Sequence, residues 1–273
     1  MAITTLTQSL RTAVGRGRRR IGATLAGIIG ILGVAAIWEL LRAIGWLPSQ
    51  WAPSIFDIVG AWIAILVDGG WVVLGSTLVA WLGGLVIASV IGGIWGLAAG
   101  SYVVVGAGSR VLIRFLRPVP SIALLPVAIL ALGLGVPMIM SLVIFASIWP
   151  VLFNTLYAYR EIPEQYFDTA RSLGLTERDT MQRVALIAVL PGLVTGVRVA
   201  AGIGLVVTVS AELITGNSGL GGFILEQRTV GDLPAAYAGI LMGGILGVLV
   251  NSGLVFVQRR ALRWSPDNRA VDA

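Results

Sequence analysis

The sequence predicts an all-α integral membrane protein with about six transmembrane helices, and three observations predict it. Apolar residues make up 57% of the 273-residue chain and charged residues only 12%, with a mean hydropathy of +0.93. Most of such a chain cannot be the solvated exterior of a soluble domain. The apolar residues also fall into stretches long enough to cross a bilayer, and the arginines gather between those stretches.

Taken in order, the run Arg16, Arg18, Arg19, Arg20 closes a basic N-terminal segment, residues 1–20. A first span follows at residues 21–44, interrupted only by Glu39 and Arg42 near its far end. A secretory signal is the competing reading, but the apolar run is too long and lacks a small-x-small cleavage site. Pro48 and Pro53 then break the chain. Ser54 is placed to cap a short amphipathic helix through Leu66, and Trp46, Trp51, Trp62 and Trp71 suit a membrane interface. Further spans are predicted at 71–100, 111–132, 138–159, 184 or 191 to 214, and 235–257. The transmembrane domain is thus residues 21–260, and 261–273 form a tail.

Orientation follows from charge. If spans alternate, the N-terminal group, Arg110, Arg114 and Arg117, the arginines of residues 160–183, and Arg259, Arg260 and Arg263 share one side. Only Arg42 and Arg228 fall near the other, so both termini are expected in the cytoplasm by the positive-inside rule. Three spans repeat small residues every fourth position: Gly84, Ala88, Gly92, Gly96 and Gly100; Gly192, Gly196, Ala200 and Gly204; Gly239, Gly243 and Gly247. Such seams let helix backbones approach, within one subunit or between two. No fixed-period repeat, low-complexity tract or separate soluble domain interrupts the pattern.

All nineteen basic residues are arginine, and lysine, histidine and cysteine are absent. Without lysine there is no Gly-Lys-Ser/Thr phosphate loop, so the chain does not bind ATP by that route, and no Schiff-base nucleophile. Without histidine or cysteine it lacks the usual soft and imidazole metal ligands, a Ser-His-Asp triad, a thiol nucleophile and disulfides. No catalytic or metal-ligating set is predicted. The arginines flank apolar spans, so membrane orientation accounts for the pI of about 10.7 without nucleic acid.

The longest polar segment between spans, residues 160–183, carries the main functional clue. Ile162-Pro163-Glu164 reads as a turn and helix start, and the stretch from Gln165 to Leu173 contains good helix formers. Gly174 is placed to end that helix, and Thr176 to cap the next with Asp179 three residues on. A short helix lying outside the bilayer can act as a rigid lever between a soluble partner and the flanking spans; an amphipathic surface loop is the alternative.

Asp168-Thr169-Ala170, then Gly174 and, after nine intervening residues, Val184, resembles the Glu-Ala-Ala cytoplasmic loop of permease subunits of bacterial ATP-binding-cassette importers. The order of Leu116-Arg117-Pro118-Val119-Pro120, Ala123-Leu124-Leu125-Pro126, Leu132-Gly133-Leu134-Gly135, Pro150, Asn154-Thr155, Gly196-Val197-Arg198 and Ala211-Glu212-Leu213 is similar to the nitrate, sulfonate and taurine branch. The likeness runs from Pro53 to Arg260. It departs from the family at Asp168-Thr169, where Glu-Ala is usual, and at Ile187, where a proline is expected.

The resemblance implies the type I importer permease fold. It implies partners as well: a second permease copy as a homodimer, two cytoplasmic ATPase subunits that hold the ATP and magnesium, an extracytoplasmic solute-binding protein, and membrane lipid. The location implied is the bacterial inner membrane. Asp168, Thr169, Ala170, Arg171, Ser172, Leu173 and Gly174 would couple to the ATPase, and this chain would bind no cofactor itself. The solute implied is a sulfonate, nitrate or related small organic compound.

Four further features are weighed from the residues. Pro118, Pro120 and Pro126, with Asn154 and Thr155, mark a candidate translocation path, because broken backbone at membrane depth is tolerated against protein or water; structural kinks are the alternative. Glu212 would either face a cavity or gate, or hold the glycine-rich segment after it. Arg198 would either snorkel to the surface or line a cavity. The segment from Gly216 to Asp232 reads as a flexible polar loop. An ion-coupled secondary transporter is the alternative function, disfavoured because mid-span positions are mostly apolar.

Overall fold

In hydrocarbon every backbone N–H and C=O must be satisfied within the chain, so long apolar stretches fold as helices. The computed structural model describes residues 25–262. The basic segment 1–20 and the tail from 263 onward lie outside the described residues.

Two units divide at Ala61 and Trp62. In the first, α1 (Leu25–Ala43) is long and apolar enough to cross a membrane. Glu39 and Arg42 explain themselves locally. The Glu39 carboxylate accepts from the Ile55 amide at 2.6 Å and from Arg42 at 2.7 Å, while Arg42 Nε donates to the Ala52 carbonyl at 2.8 Å. Trp38 Nε1 donates to the Pro53 carbonyl at 3.1 Å, so the proline-broken turn is pinned to the end of α1. Helix α2 (Ile55–Val67) starts where Ser54 was expected to cap it, the Ser54 hydroxyl accepting the Asp57 amide at 3.0 Å.

The second unit carries a one-turn 3₁₀ helix (Gly70–Val72), α3 (Val73–Ser101), α4 (Val103–Leu116), a second 3₁₀ turn (Ser121–Leu124), α5 (Leu125–Leu132) and α6 (Val136–Arg160). Then come α7 (Glu164–Ser172), α8 (Glu177–Thr180), a π turn (Met181–Ala185), α9 (Leu186–Thr215), α10 (Leu220–Val230) and α11 (Leu233–Ala261). Five helices among the described residues are long and apolar enough to span, six if the bent α4–α5 pair counts as one.

The core lies between α3, α6 and α9, and glycines set how closely they approach. A Cβ at Gly96 would sit 2.6 Å from the Leu152 carbonyl, one at Gly92 2.9 Å from the Ile148 carbonyl, and one at Gly196 2.9 Å from the Pro150 carbonyl. The predicted small-residue seams of the second and fifth spans therefore pack within this one chain, α3 and α9 both against α6 and against each other. Met138, Ile139, Leu142, Val143, Val151 and Leu152 of α6 are all buried in consequence. Trp81 donates its indole N–H to the Ala201 carbonyl at 2.9 Å and Ser147 its hydroxyl to the Ala200 carbonyl at 3.2 Å, tying α3 and α6 to α9.

Two expectations are corrected. The span predicted at 111–132 is not one helix: α4 and the Ser121–Leu132 segment meet at 81°. Pro118 and Pro120 supply no N–H and disfavour helical backbone before them, so the helix stops at Leu116. Arg117, at this elbow, stacks over the Phe153 ring 4.7 Å from its centroid. The segment after Gly216 is not a flexible loop either, for residues 220–230 form α10. Leu220 and Ile224 are buried with Met242, and Trp62 and Ile65 pack against that cluster.

Candidate functional site

The polar island folds as helix, glycine turn, helix. Pro163 precedes the first turn of α7, and Glu164 places a carboxylate at the helix start, where the exposed amides favour it. At the other end the Gly174 amide donates to the Arg171 carbonyl at 3.0 Å and the Leu175 amide to the Ala170 carbonyl at 3.0 Å. That pair of bonds is a Schellman closure, and Gly174 takes the left-handed φ of +72° it requires.

Thr176 then caps α8: its hydroxyl accepts the Asp179 amide at 3.1 Å and donates to the Asp179 carboxylate at 2.6 Å. That hydroxyl holds the Asp179 carboxyl below its ordinary value, outweighing the opposing effect of desolvation, with a lesser contribution from Arg183. Ala170 is buried and Phe167 is half-buried against the Tyr159 ring, while Asp168, Arg171, Ser172 and Leu173 are exposed, so α7 rests on that pair and presents its other face outward. Asp168 and Arg171 pair at 2.7 Å on that outer face, an exposed pair whose net contribution is small. A concavity of about 970 Å³ opens beside the hairpin, lined by Tyr102, Tyr159, Phe167, Arg171 and Met181 among others.

The candidate path residues fall on the elbow, on α5 and on α6, and the Arg117–Phe153 contact joins the elbow to α6 beside Asn154. Pro118 and Pro120 form the elbow before α5, and Pro126 stands in the first turn of α5. Asn154 donates its side-chain amide to the Pro150 carbonyl at 2.8 Å, one turn back on α6. Thr155 is buried at the α3–α6 seam beneath Gly96.

Glu212 is fully buried and holds the start of α10. One carboxylate oxygen accepts the Thr77 hydroxyl at 2.9 Å and the Gly221 amide at 3.0 Å, while Thr77 accepts the Leu220 amide at 2.8 Å. Two of the first amides of α10 are thereby satisfied by α3 and α9. Gly219, at φ +144°, lies against the carboxylate, leaving no room for a side chain. Of Thr77, Gly219 and Gly221, only Thr77 carries no signal in the sequence, where Gly219 and Gly221 read as part of the glycine-rich segment that Glu212 is a candidate to hold. The link of Thr77 to Glu212 crosses 135 positions, and no local pattern encodes it. Arg198 remains exposed, its Nε donating to the Asn251 side chain at 3.1 Å.

Comparison with known proteins bears on this arrangement. Residues 88–263 match the family model described as the binding-protein-dependent transport system inner membrane component. The chain is 31% identical over 240 residues to the putative aliphatic sulfonates transport permease protein SsuC of Escherichia coli strain K12, covering 86% of this chain and 90% of that one. It is 25% identical over 273 residues to the bicarbonate transport system permease protein CmpB of a Synechocystis strain, covering 94% and 97%. Among solved structures, an inward-facing form of the MetNI methionine ABC transporter shares the fold, with a TM-score of 0.56 at 22% identity over 72% of this chain and 95% of that one.

Proposed function

The chain belongs to the binding-protein-dependent transport inner membrane component family and is a permease subunit of an ATP-binding-cassette importer, and from that premise we propose that it imports a small oxyanion. The observation that carries the mechanism is the α7–Gly174–α8 hairpin. It is a capped, exposed, polar helical unit set between two long apolar helices, with Ala170 as its buried footing. Such a unit moves as a body, so a push on α7 passes to α6 through Arg160 and to α9 through the π turn at Met181–Ala185.

In this reading Asp168 to Gly174 dock into a cytoplasmic ATPase subunit, one for each of two copies of the chain paired as a homodimer. ATP and magnesium are held by the ATPases, and closure of that pair turns the permease outward to receive solute from an extracytoplasmic binding protein. Both termini and the hairpin face the cytoplasm, and the start of α10 faces outward. The relatives support the solute class, since SsuC is named for aliphatic sulfonates and CmpB for bicarbonate. The elbow at Pro118 and Pro120 and the buried Glu212 latch are the elements whose movement would open or shut the route.

The test is co-purification of the tagged chain with an ATPase subunit, followed by reconstitution with its binding protein and measurement of vanadate-sensitive uptake of an alkylsulfonate, nitrate and bicarbonate. Uptake insensitive to vanadate but driven by an imposed ion gradient would replace this reading with secondary transport.

A further inference from the structure

A groove of about 440 Å³ runs between α9 and α11, and its chemistry is uneven. Most of its lining is apolar or glycine, and no aspartate or glutamate borders it. Arg198 and Asn251 stand in it side by side, with Ser210 further along. Arg198 Nε donates to the Asn251 carbonyl oxygen at 3.1 Å, and among the described residues neither terminal guanidinium nitrogen has a partner and no carboxylate lies within ion-pair distance. One donor thus fixes the plane of the guanidinium and leaves its fork, the geometry that matches a planar or tetrahedral oxyanion, unpartnered at an exposed position lining the groove.

Depth separates a transported anion from a surface one. By helical rise, Arg198 lies about 4 Å from the midpoint of α9, and Asn251 about 6 Å from the midpoint of the antiparallel α11, both displaced toward the same side. Lipid headgroups begin about 15 Å from the bilayer centre. With the helix midpoints set at the bilayer centre, a guanidinium held by Asn251 stays short of the headgroups, and an unpaired charge in a span faces protein or a water-filled cavity. Glycines keep the wall open: a Cβ at Gly202 or Gly244 would meet nothing within 4 Å.

We propose that Arg198, oriented by Asn251, is an anion-binding site within the membrane that contacts the oxyanion group of the transported solute. The proposal rests on the permease reading for its ligand, and adds selectivity for negative charge inside the membrane to whatever a binding protein imposes. A basic site enclosed by apolar walls concentrates anions and excludes cations, since the low-dielectric lining strengthens its field.

The chain has no cysteine, so Gly202→Cys, one turn from Arg198 where the added side chain meets nothing, gives a single thiol beside the site. In proteoliposomes of the full chain, its modification by an anionic sulfonatoethyl methanethiosulfonate is compared with that by a cationic trimethylammonium analogue. The anionic reagent is expected to react about tenfold faster or more, as for a cleft lined with one sign of charge, and the preference to vanish with Arg198→Gln. Nitrate or ethanesulfonate should slow the reaction in the Arg198 protein alone. Asn251→Ala, which keeps the charge but frees the guanidinium, should weaken that protection while retaining part of the reagent preference. Equal rates for both reagents, or a preference that survives Arg198→Gln, would overturn the proposal. So would rates that follow the phosphatidylglycerol content of the bilayer and ignore added anion, which would assign the fork to lipid phosphate. The readout needs neither ATPase nor uptake, so it fails independently of the importer reading.

Discussion

The Thr77 hydroxyl donates to the Glu212 carboxylate at 2.9 Å and accepts the Leu220 amide at 2.8 Å, joining α3, α9 and α10 through one buried oxygen. Thr77 and one Glu212 oxygen between them fill the first two amides of α10, while the second Glu212 oxygen has no partner among the described residues. The carboxylate needs donors because it is fully buried, the start of α10 needs acceptors because its first amides have no intrahelical partner, and Thr77 serves both.

Removing the hydroxyl should therefore cost more than one hydrogen bond. Thr77→Val keeps shape but strands the Leu220 amide and takes a donor from Glu212, a loss of about 1–3 kcal/mol. Thr77→Ser should retain most of the stability. Thermal unfolding of purified variants in detergent checks the order wild type, Ser, Val; equal midpoints for Ser and Val would show that the latch contributes nothing.

Glu212→Gln tests the charge separately. Glutamine keeps a carbonyl oxygen able to accept from Thr77 and Gly221 but carries no negative charge for the N-terminal end of α10. Uptake in reconstituted vesicles is expected to slow, with assembly with the ATPase intact. Unchanged uptake would confine Glu212 to a structural role.

The helix seams give a contrast in packing. At Gly96 an added Cβ would press on the Leu152 carbonyl and Thr155, whereas at Gly202 it meets nothing. Gly96→Ala should destabilise by about 1–3 kcal/mol through forced separation of α3 and α6. Gly202→Ala should be neutral or slightly stabilising, since alanine is the better helix former. A Gly96→Ala protein as stable as wild type would mean that the α3–α6 approach is looser than these distances require.

How much of this was legible depends on how far apart the cooperating residues lie. Ser54, Gly174, Thr176 and Asp179 act on amides or carbonyls within five residues, so the caps and the island's hairpin could be read from the chain alone. The spans were legible because hydropathy sums over a whole helix. The same summation concealed the 81° bend, as apolar residues on both sides of Pro118 and Pro120 average into one stretch. Helix α10 was missed because Gly219, Gly221 and Gly222 read as loop, while the groups that let them start a helix, Thr77 and Glu212, come from other elements. Which face Asn154 or Thr155 presents depends on the α3 and α9 glycines packed on α6, and that too lies outside any local window.

Orientation is open to a direct check, again because the chain lacks cysteine. Ser172, at the end of α7, and Ser218, just before α10, are both exposed and lie at opposite ends of α9. Single cysteines placed there should label differently with an impermeant reagent added to intact spheroplasts: Ser218→Cys at once, Ser172→Cys only after permeabilisation. The reverse pattern would invert the arrangement inferred from the arginines.

The coupling role of the hairpin turns on Gly174. Its φ of +72° closes the Schellman turn, and a Cβ there would meet no neighbour within 4 Å, so any penalty for substitution arises in the backbone rather than in packing. This separates three variants. Asparagine tolerates the left-handed region and should be mild. Alanine should cost about 1–2 kcal/mol locally, and β-branched valine more, enough to re-aim α7 without reaching any span. Asp168→Arg leaves the turn intact but breaks the pair with Arg171 and reverses charge on the exposed face. Insertion and thermal stability of the membrane helices should therefore be unchanged in all of them. Binding-protein-stimulated ATP hydrolysis and uptake should fall in the order wild type, Gly174→Asn, Gly174→Ala, Gly174→Val, with Asp168→Arg also impaired. If Gly174→Val and Asp168→Arg both retain full ATPase stimulation and transport in vesicles, α7 is not the lever, and force from the ATPase must enter the membrane helices elsewhere.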